Sequence, residues 1–156
     1  MKIYSVRSSY ADSYGVLHSV YITPYLDPNK AQSAIDGYRL EYDDLTTAMD
    51  IVSFDVPFIP KKAVSIMIGI TVNGVERFES VGMYSCKAYA ENSDIWKQVL
   101  EAVKNNPESY KRIDLSDRGY DFSINCTENA VPSTINFDGK EAKLYVAKLI
   151  RRKVVR

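Results

Sequence analysis

The chain has 156 residues, 46% of them apolar and 26% charged, with a formal net charge of zero. A globular domain of this size buries about 70% of the surface its unfolded chain would expose, so global disorder and a small disulfide-dependent scaffold are excluded. The zero hides a division. Residues 140–156 hold seven basic residues and one acid, net +6, against thirteen basic and nineteen acidic residues, net −6, over 1–139. Such asymmetry speaks about partners rather than about fold.

Lys2 to Arg7 alternates apolar and polar residues and reads as a first strand, followed by a small polar turn over 8–14 and a second strand over 15–23. Asp27-Pro28 is a helix start, because Asp accepts orphan N–H groups and Pro is tolerated in the first turn. Apolar residues from Ala31 to Val52 then recur at three- and four-residue steps, interrupted by Gly37 and Asp43-Asp44. That pattern predicts two helices, at about 28–42 and 44–53. Pro57 and Pro60 make 54–62 an extended connector. Asn73-Gly74 between two β-like runs predicts a long hairpin, since a type I′ turn needs φ > 0 at both positions.

Ser93 should cap a helix over 94–106 that turns Ile95, Val99, Ala102 and Val103 to one side, with Pro107 beyond it. Residues 120–126 alternate cleanly and 133–137 form a short further strand. Asp138 to Glu141 fits either a hairpin turn or a capping box. Ala142, Tyr145, Val146, Leu149 and Ile150 then fall on i, i+3, i+4, i+7 and i+8. They predict an amphipathic, basic C-terminal helix and tail over 139–156. The expected fold is α+β: one globular domain, 1–156, with a mainly antiparallel sheet of about six or seven strands packed by three or four helices.

No apolar run approaches the roughly 20 residues that a membrane helix needs. The first ten residues lack the apolar core of a signal peptide. Cys86 and Cys126 show neither a disulfide nor a metal spacing. A cytoplasmic protein that does not bind membranes is therefore expected.

The candidate binding residues are the cations Lys140, Lys143, Lys148, Arg151, Arg152 and Lys153, an electrostatic footprint if the helix docks its apolar stripe. The bland alternative is that cations merely suit a helix C-terminus. Seven of the twelve tyrosines precede residue 43, and tyrosine is favoured at recognition surfaces. Tyr10 and Tyr14, in the first polar turn, are the best placed to be exposed. The only histidine, His18, lies on the apolar side of its strand and reads as a half-buried, hydrogen-bonded residue.

Asp114, Asp117 and Asp121 miss the spacing of a calcium loop. Glu141-Ala142-Lys143 spells the E-x-K of the restriction-like nucleases, with Asp121 as an upstream ligand. That chemistry needs a strand, and a helix would set the two side chains about 200° apart. No catalytic, cofactor-binding or metal residue is assigned, and no cofactor is expected.

The leading expectation is a non-enzymatic interaction protein of adaptor or inhibitor type, a small viral or mobile-element accessory protein. It would bind a protein partner through the tyrosine-bearing surface, the basic helix, or both. Nucleic-acid binding through 140–156 is the alternative, and a metal-dependent nuclease using Asp121, Glu141 and Lys143 is the second. An edge strand left by the long hairpin would also allow a homodimer.

Overall fold

The computed structural model describes residues 1–41, 47–72, 74–84, 94–113 and 123–156. Strand β1 (Lys2–Ala11) turns back into β2 (Leu17–Tyr25). The turn is built by Asp12, whose carboxylate accepts the N–H groups of Tyr14 (2.9 Å) and Val16 (3.0 Å), with Gly15 at φ 79°. Helix α1 (Pro28–Glu41) starts where the sequence says it should: Asp27 Oδ1 accepts the Asn29 N–H at 2.8 Å, and Ala31 and Ile35 are its buried residues. Strand β3 (Thr47–Asp55) then runs antiparallel to β1, from Tyr10 opposite Thr47 to Lys2 opposite Asp55.

The expected long hairpin is β4 (Lys62–Val72) and β5 (Val75–Tyr84), with Gly74 at φ 76° in its tip. Helix α2 (Asp94–Asn105) buries Trp96, Val99 and Val103; Ser93, expected as its cap, lies outside the described residues. Strand β6 (Tyr110–Ile113) pairs with β7 (Ser123–Cys126), and β8 (Ser133–Phe137) with β9 (Lys140–Leu144). Strand β10 (Ala147–Lys153) returns to the main sheet beside β4.

The six-stranded sheet has the order β10-β4-β5-β2-β1-β3 and is mixed, because β2 and β5 run parallel with Ser19 opposite Glu79. Each half is a hairpin, a helix, and a later strand laid against the hairpin's first strand. The halves join through their second strands. Register fixes which face each helix covers. Val6 lies under α1 with Ile35 and Ile51. Arg7, one residue on, points to the other face. It sits opposite Tyr21, whose face-mate Ser19 pairs with Glu79, which pairs with Ile68. Ile68 belongs to the core under α2, with Trp96, Val99, Tyr110, Ile135 and Leu144. The two helices therefore cover opposite faces. A third cluster, Ile3, Val56, Ala63 and Val154, fills the end where 154–156 run beside 24–26.

Three expectations are corrected. The described residues contain two helices, not three or four. The predicted helix over 44–53 is strand β3 where it is described: "DIVSFD" is rich in β-branched and aromatic residues, and its three- and four-residue apolar spacing also fits a strand that buries residues on both faces. The C-terminal helix is β9 and β10. Asp138 (φ 54°) and Gly139 (φ 71°) both adopt positive φ, so the hairpin reading of Asp-Gly prevails over the capping box. Ala142 and Leu144 then point inward at period 2, and the break at Tyr145-Val146 resets the phase before Ala147. Two short strands in different phase imitated one helical stripe. The β4–β5 hairpin, moreover, lies inside the sheet and leaves no edge.

Side-chain bonds tie the layers together. The Asn136 N–H donates to Gln98 Oε1 (2.6 Å) while Gln98 Nε2 donates to the Asn136 carbonyl (3.1 Å), joining α2 to β8. The buried Tyr110 hydroxyl donates to the Leu144 carbonyl at 2.9 Å and lies 3.0 Å from Ser133 Oγ. Leu144 is fully buried, whereas a helix over 139–156 would leave it off the apolar stripe. Leu144→Ala is therefore expected to cost about 2–5 kcal/mol in denaturant unfolding. A loss under about 0.5 kcal/mol, as for a surface position, would contradict the strand.

Candidate functional site

The structure separates the residues that the sequence grouped. Tyr14, 91% exposed, sits at the β1–β2 turn. Tyr10 is half-buried against the His18 ring, centroids 5.2 Å apart. Lys140 and Lys143 are exposed on the β8–β9 hairpin, opposite Phe137 and Thr134. Lys148, opposite Met67, is exposed on the edge strand β10. Arg151 (half-buried), Arg152 and Lys153 follow it, opposite Val64, Ala63 and Lys62. The tyrosine turn and this basic end lie at opposite ends of β2, whose nine residues span about 30 Å, so they do not make one surface.

The basic end gains cations that the sequence reading missed. Antiparallel pairing of β4 with β10 sets Lys62 opposite Lys153 and brings Lys61 beside them. The Val154 N–H donates to the Lys61 carbonyl (2.8 Å), the Val155 N–H to the Pro24 carbonyl (2.9 Å), and the Leu26 N–H to the Val155 carbonyl (3.0 Å). Lys30 Nζ donates to the Arg156 carbonyl at 2.6 Å, which places a further cation there. The only signal in the sequence was Pro60-Lys61-Lys62, and nothing local links it to residues some ninety positions later. A depression of about 560 Å³ is lined by Lys61, Lys153, Val154, Val155 and Arg156. Its lining combines two valines with three cations. Phe58, 46% exposed, lies in the same connector as Lys61.

A depression of similar size, about 570 Å³, lies between α2 and β8. It mixes Asp94, Glu101 and Asp138 with Lys97, and its two amides, Gln98 and Asn136, already bond each other. It presents no convergent set of groups.

The chemical readings fare differently. His18 is buried, and its Nδ1 accepts the Phe78 N–H at 3.0 Å. Nε2 must then carry the proton and donate to Asp12 Oδ2, 2.8 Å away. The ring also packs between Tyr10 and Phe78. Neither nitrogen keeps a lone pair for a substrate proton, so His18 clips β2 to β5, as a hydrogen-bonded half-buried residue would. Burial pushes the Cys126 thiol up, with the charge of Glu76 adding to it, which is the reverse of an activated nucleophile.

Glu141 and Lys143 lie on strand β9 and share its exposed face, so the 200° separation expected from a helix does not apply. Their ladder partners are Asn136 and Thr134, neither a carboxylate. No group of three His, Cys, Asp or Glu that could hold a metal occurs among the described residues. Asp114, Asp117, Asp121 and Cys86 lie outside them. No helix among the described residues is long and apolar enough to cross a membrane.

Two outcomes follow. The His18 bond, and then the Val16 and Tyr14 N–H groups, hold the Asp12 carboxyl below its ordinary value. A carboxyl depressed in the fold stabilises it above the unfolded value, about 3.9, and that contribution fades as pH falls through the lower folded value. Asp12→Asn is thus expected to lower the melting temperature at pH 7, with the gap to wild type closing below about pH 4; thermal unfolding across pH checks this. Supercoiled plasmid incubated with the protein and Mg²⁺ is expected to stay intact, and nicking abolished by Glu141→Ala would reinstate the metal-dependent nuclease. Compared with protein-family models, curated proteins and solved structures, the chain matches none.

Proposed function

We propose that this is a non-enzymatic interaction protein, of adaptor or inhibitor type and working in the cytoplasm, whose basic end binds an acidic segment of another protein. The observation that carries the reading is the depression lined by Val154 and Val155 together with Lys61, Lys153 and Arg156. An apolar anchor with flanking carboxylates fits that chemistry: burying the anchor supplies affinity, and charge complementarity supplies orientation and association rate. A phosphate chain would use the cations and leave the valines uncovered. The cations also guard β10 as an edge strand, but guarding requires none at Lys61 or Arg156.

Direct nucleic-acid binding is the second reading, favoured by Phe58, an exposed aromatic three residues before Lys61 on which a base can stack. Affinity capture from lysate, with and without nuclease, separates the two. The expected result is a captured protein that survives nuclease, weakens as salt rises, and is lost in the combined Lys61→Glu, Lys153→Glu variant. Capture that vanishes with nuclease would instead support nucleic acid. The Arg152→Glu, Lys153→Glu variant should then flatten the logarithmic salt slope by roughly 1.4–1.8, the value for two lost phosphate contacts.

A further inference from the structure

We propose that the outer edge of β3 pairs with β3 of a second copy of this chain, antiparallel about a two-fold axis through Ile51. Among the described strands, β3 is the last in the sheet order and pairs with β1 alone. The Val56 N–H donates to the Met1 carbonyl at 2.8 Å, which makes that a hydrogen-bonded pair and sets the alternation along the ladder. Ala48, Asp50, Val52 and Phe54 turn their N–H and C=O groups toward β1. Thr47, Met49, Ile51, Ser53 and Asp55 turn theirs away from it. Arg39 Nη2, reaching the Met49 carbonyl at 3.4 Å, confirms that direction.

Exposed edges are normally blunted by Lys, Pro, a bulge or short length. The two edges of this sheet differ sharply in that respect. Strand β10 carries Lys148, Arg151, Arg152 and Lys153. Strand β3 is nine residues long, contains neither Lys nor Pro, and pairs with β1 in unbroken register. Its two acids are engaged within their own copy, Asp50 by the Arg7 guanidinium and Asp55 by Lys2 at 3.7 Å.

The strand is also complementary to itself. Outward groups must face outward groups, so the two-fold has to pass through a residue. Centred on Ile51, the pairing sets Met49 opposite Ser53, Asp50 opposite Val52, and Ala48 opposite Phe54. A shift of the centre to Asp50 sets that carboxylate against its own copy, an unfavourable opposition. The register centred on Ile51 sets no like charges directly opposite each other, and it joins the two sheets into one. Leu40, 89% exposed and next to Arg39, adds apolar surface near this edge. This isologous contact is separate from the basic end.

Light scattering on the purified chain at micromolar concentration is expected to give twice the chain mass. Ser53→Pro removes an outward N–H and leaves the ladder to β1 intact, so it should give a single-chain mass with an unchanged circular dichroism spectrum. Wild-type hydrogen exchange supplies a test that needs no variant. Slow exchange at Ile51 and Ser53, matching Val52, supports the pairing. Fast exchange at both, a single-chain mass at about 100 μM, the upper end of that range, or a dimer that persists in folded Ser53→Pro would overturn it.

Discussion

The hydrogen bond from the Phe78 N–H to His18 Nδ1 crosses the seam between β2 and β5, where the two halves of the sheet pair. Strands β2 and β5 run parallel there, with a single register pair, Ser19 opposite Glu79. So short a ladder offers few backbone bonds to hold two hairpins together. Side chains reinforce it: His18 takes the Phe78 N–H and shares its own proton with Asp12, and Ser80 Oγ accepts the Tyr21 N–H at 3.0 Å, while the backbone bonds of Val155 to Pro24 and Leu26 join the halves at the far end of β2. Because Asp12 also builds the β1–β2 turn, the turn and the join share one carboxylate. A buried polar group is costly unless satisfied. Here both ring nitrogens are satisfied, and two aromatic rings exclude water from them.

That join governs what each surface can present. With α1 and α2 on opposite faces, the apolar interior is divided into three clusters rather than one. The largest is closed by α2 together with β6, β7, β8 and β9, the strands between that helix and β10. The end filled by Ile3, Val56, Ala63 and Val154 is where Lys61, Lys62, Lys153 and Arg156 gather. They gather there because antiparallel pairing returns β10 to the start of β4, and the last residues then reach across to β2. The charge layout is a consequence of strand order.

How much of this could be read from the chain depended on whether the signal was local. The start of α1 at Asp27-Pro28, the Asn73-Gly74 hairpin, the helix near 94–106 and the strand at 133–137 all rest on neighbouring residues, and each was legible. Asp138-Gly139 was ambiguous because the same residues serve a turn and a helix cap. The two short strands after it were out of phase with each other, which reproduced a helical spacing. The basic end was half legible: its β10 cations stood out as a cluster, whereas Lys61 and Lys62 became part of it only through register. The clip at His18 could be recognised as a buried histidine, but its partners Asp12 and Phe78 come from opposite sides of the join.

Strand β10 has one further consequence, and it concerns time. Ser65 on β4 bonds to the Ile150 carbonyl across 85 positions of sequence, and Lys30 reaches Arg156 across 126. As the chain leaves the ribosome, the flank of β4 stands open, with Ile66, Ile68 and Ile70 beside it, until 147–153 have been made. At roughly 5–20 residues per second that interval lasts several seconds. Pairings of such range also close slowly, because loop entropy is lost before contacts repay it. The nascent chain therefore passes through a period in which an interior strand behaves as an edge, open to chaperones or to a neighbouring chain.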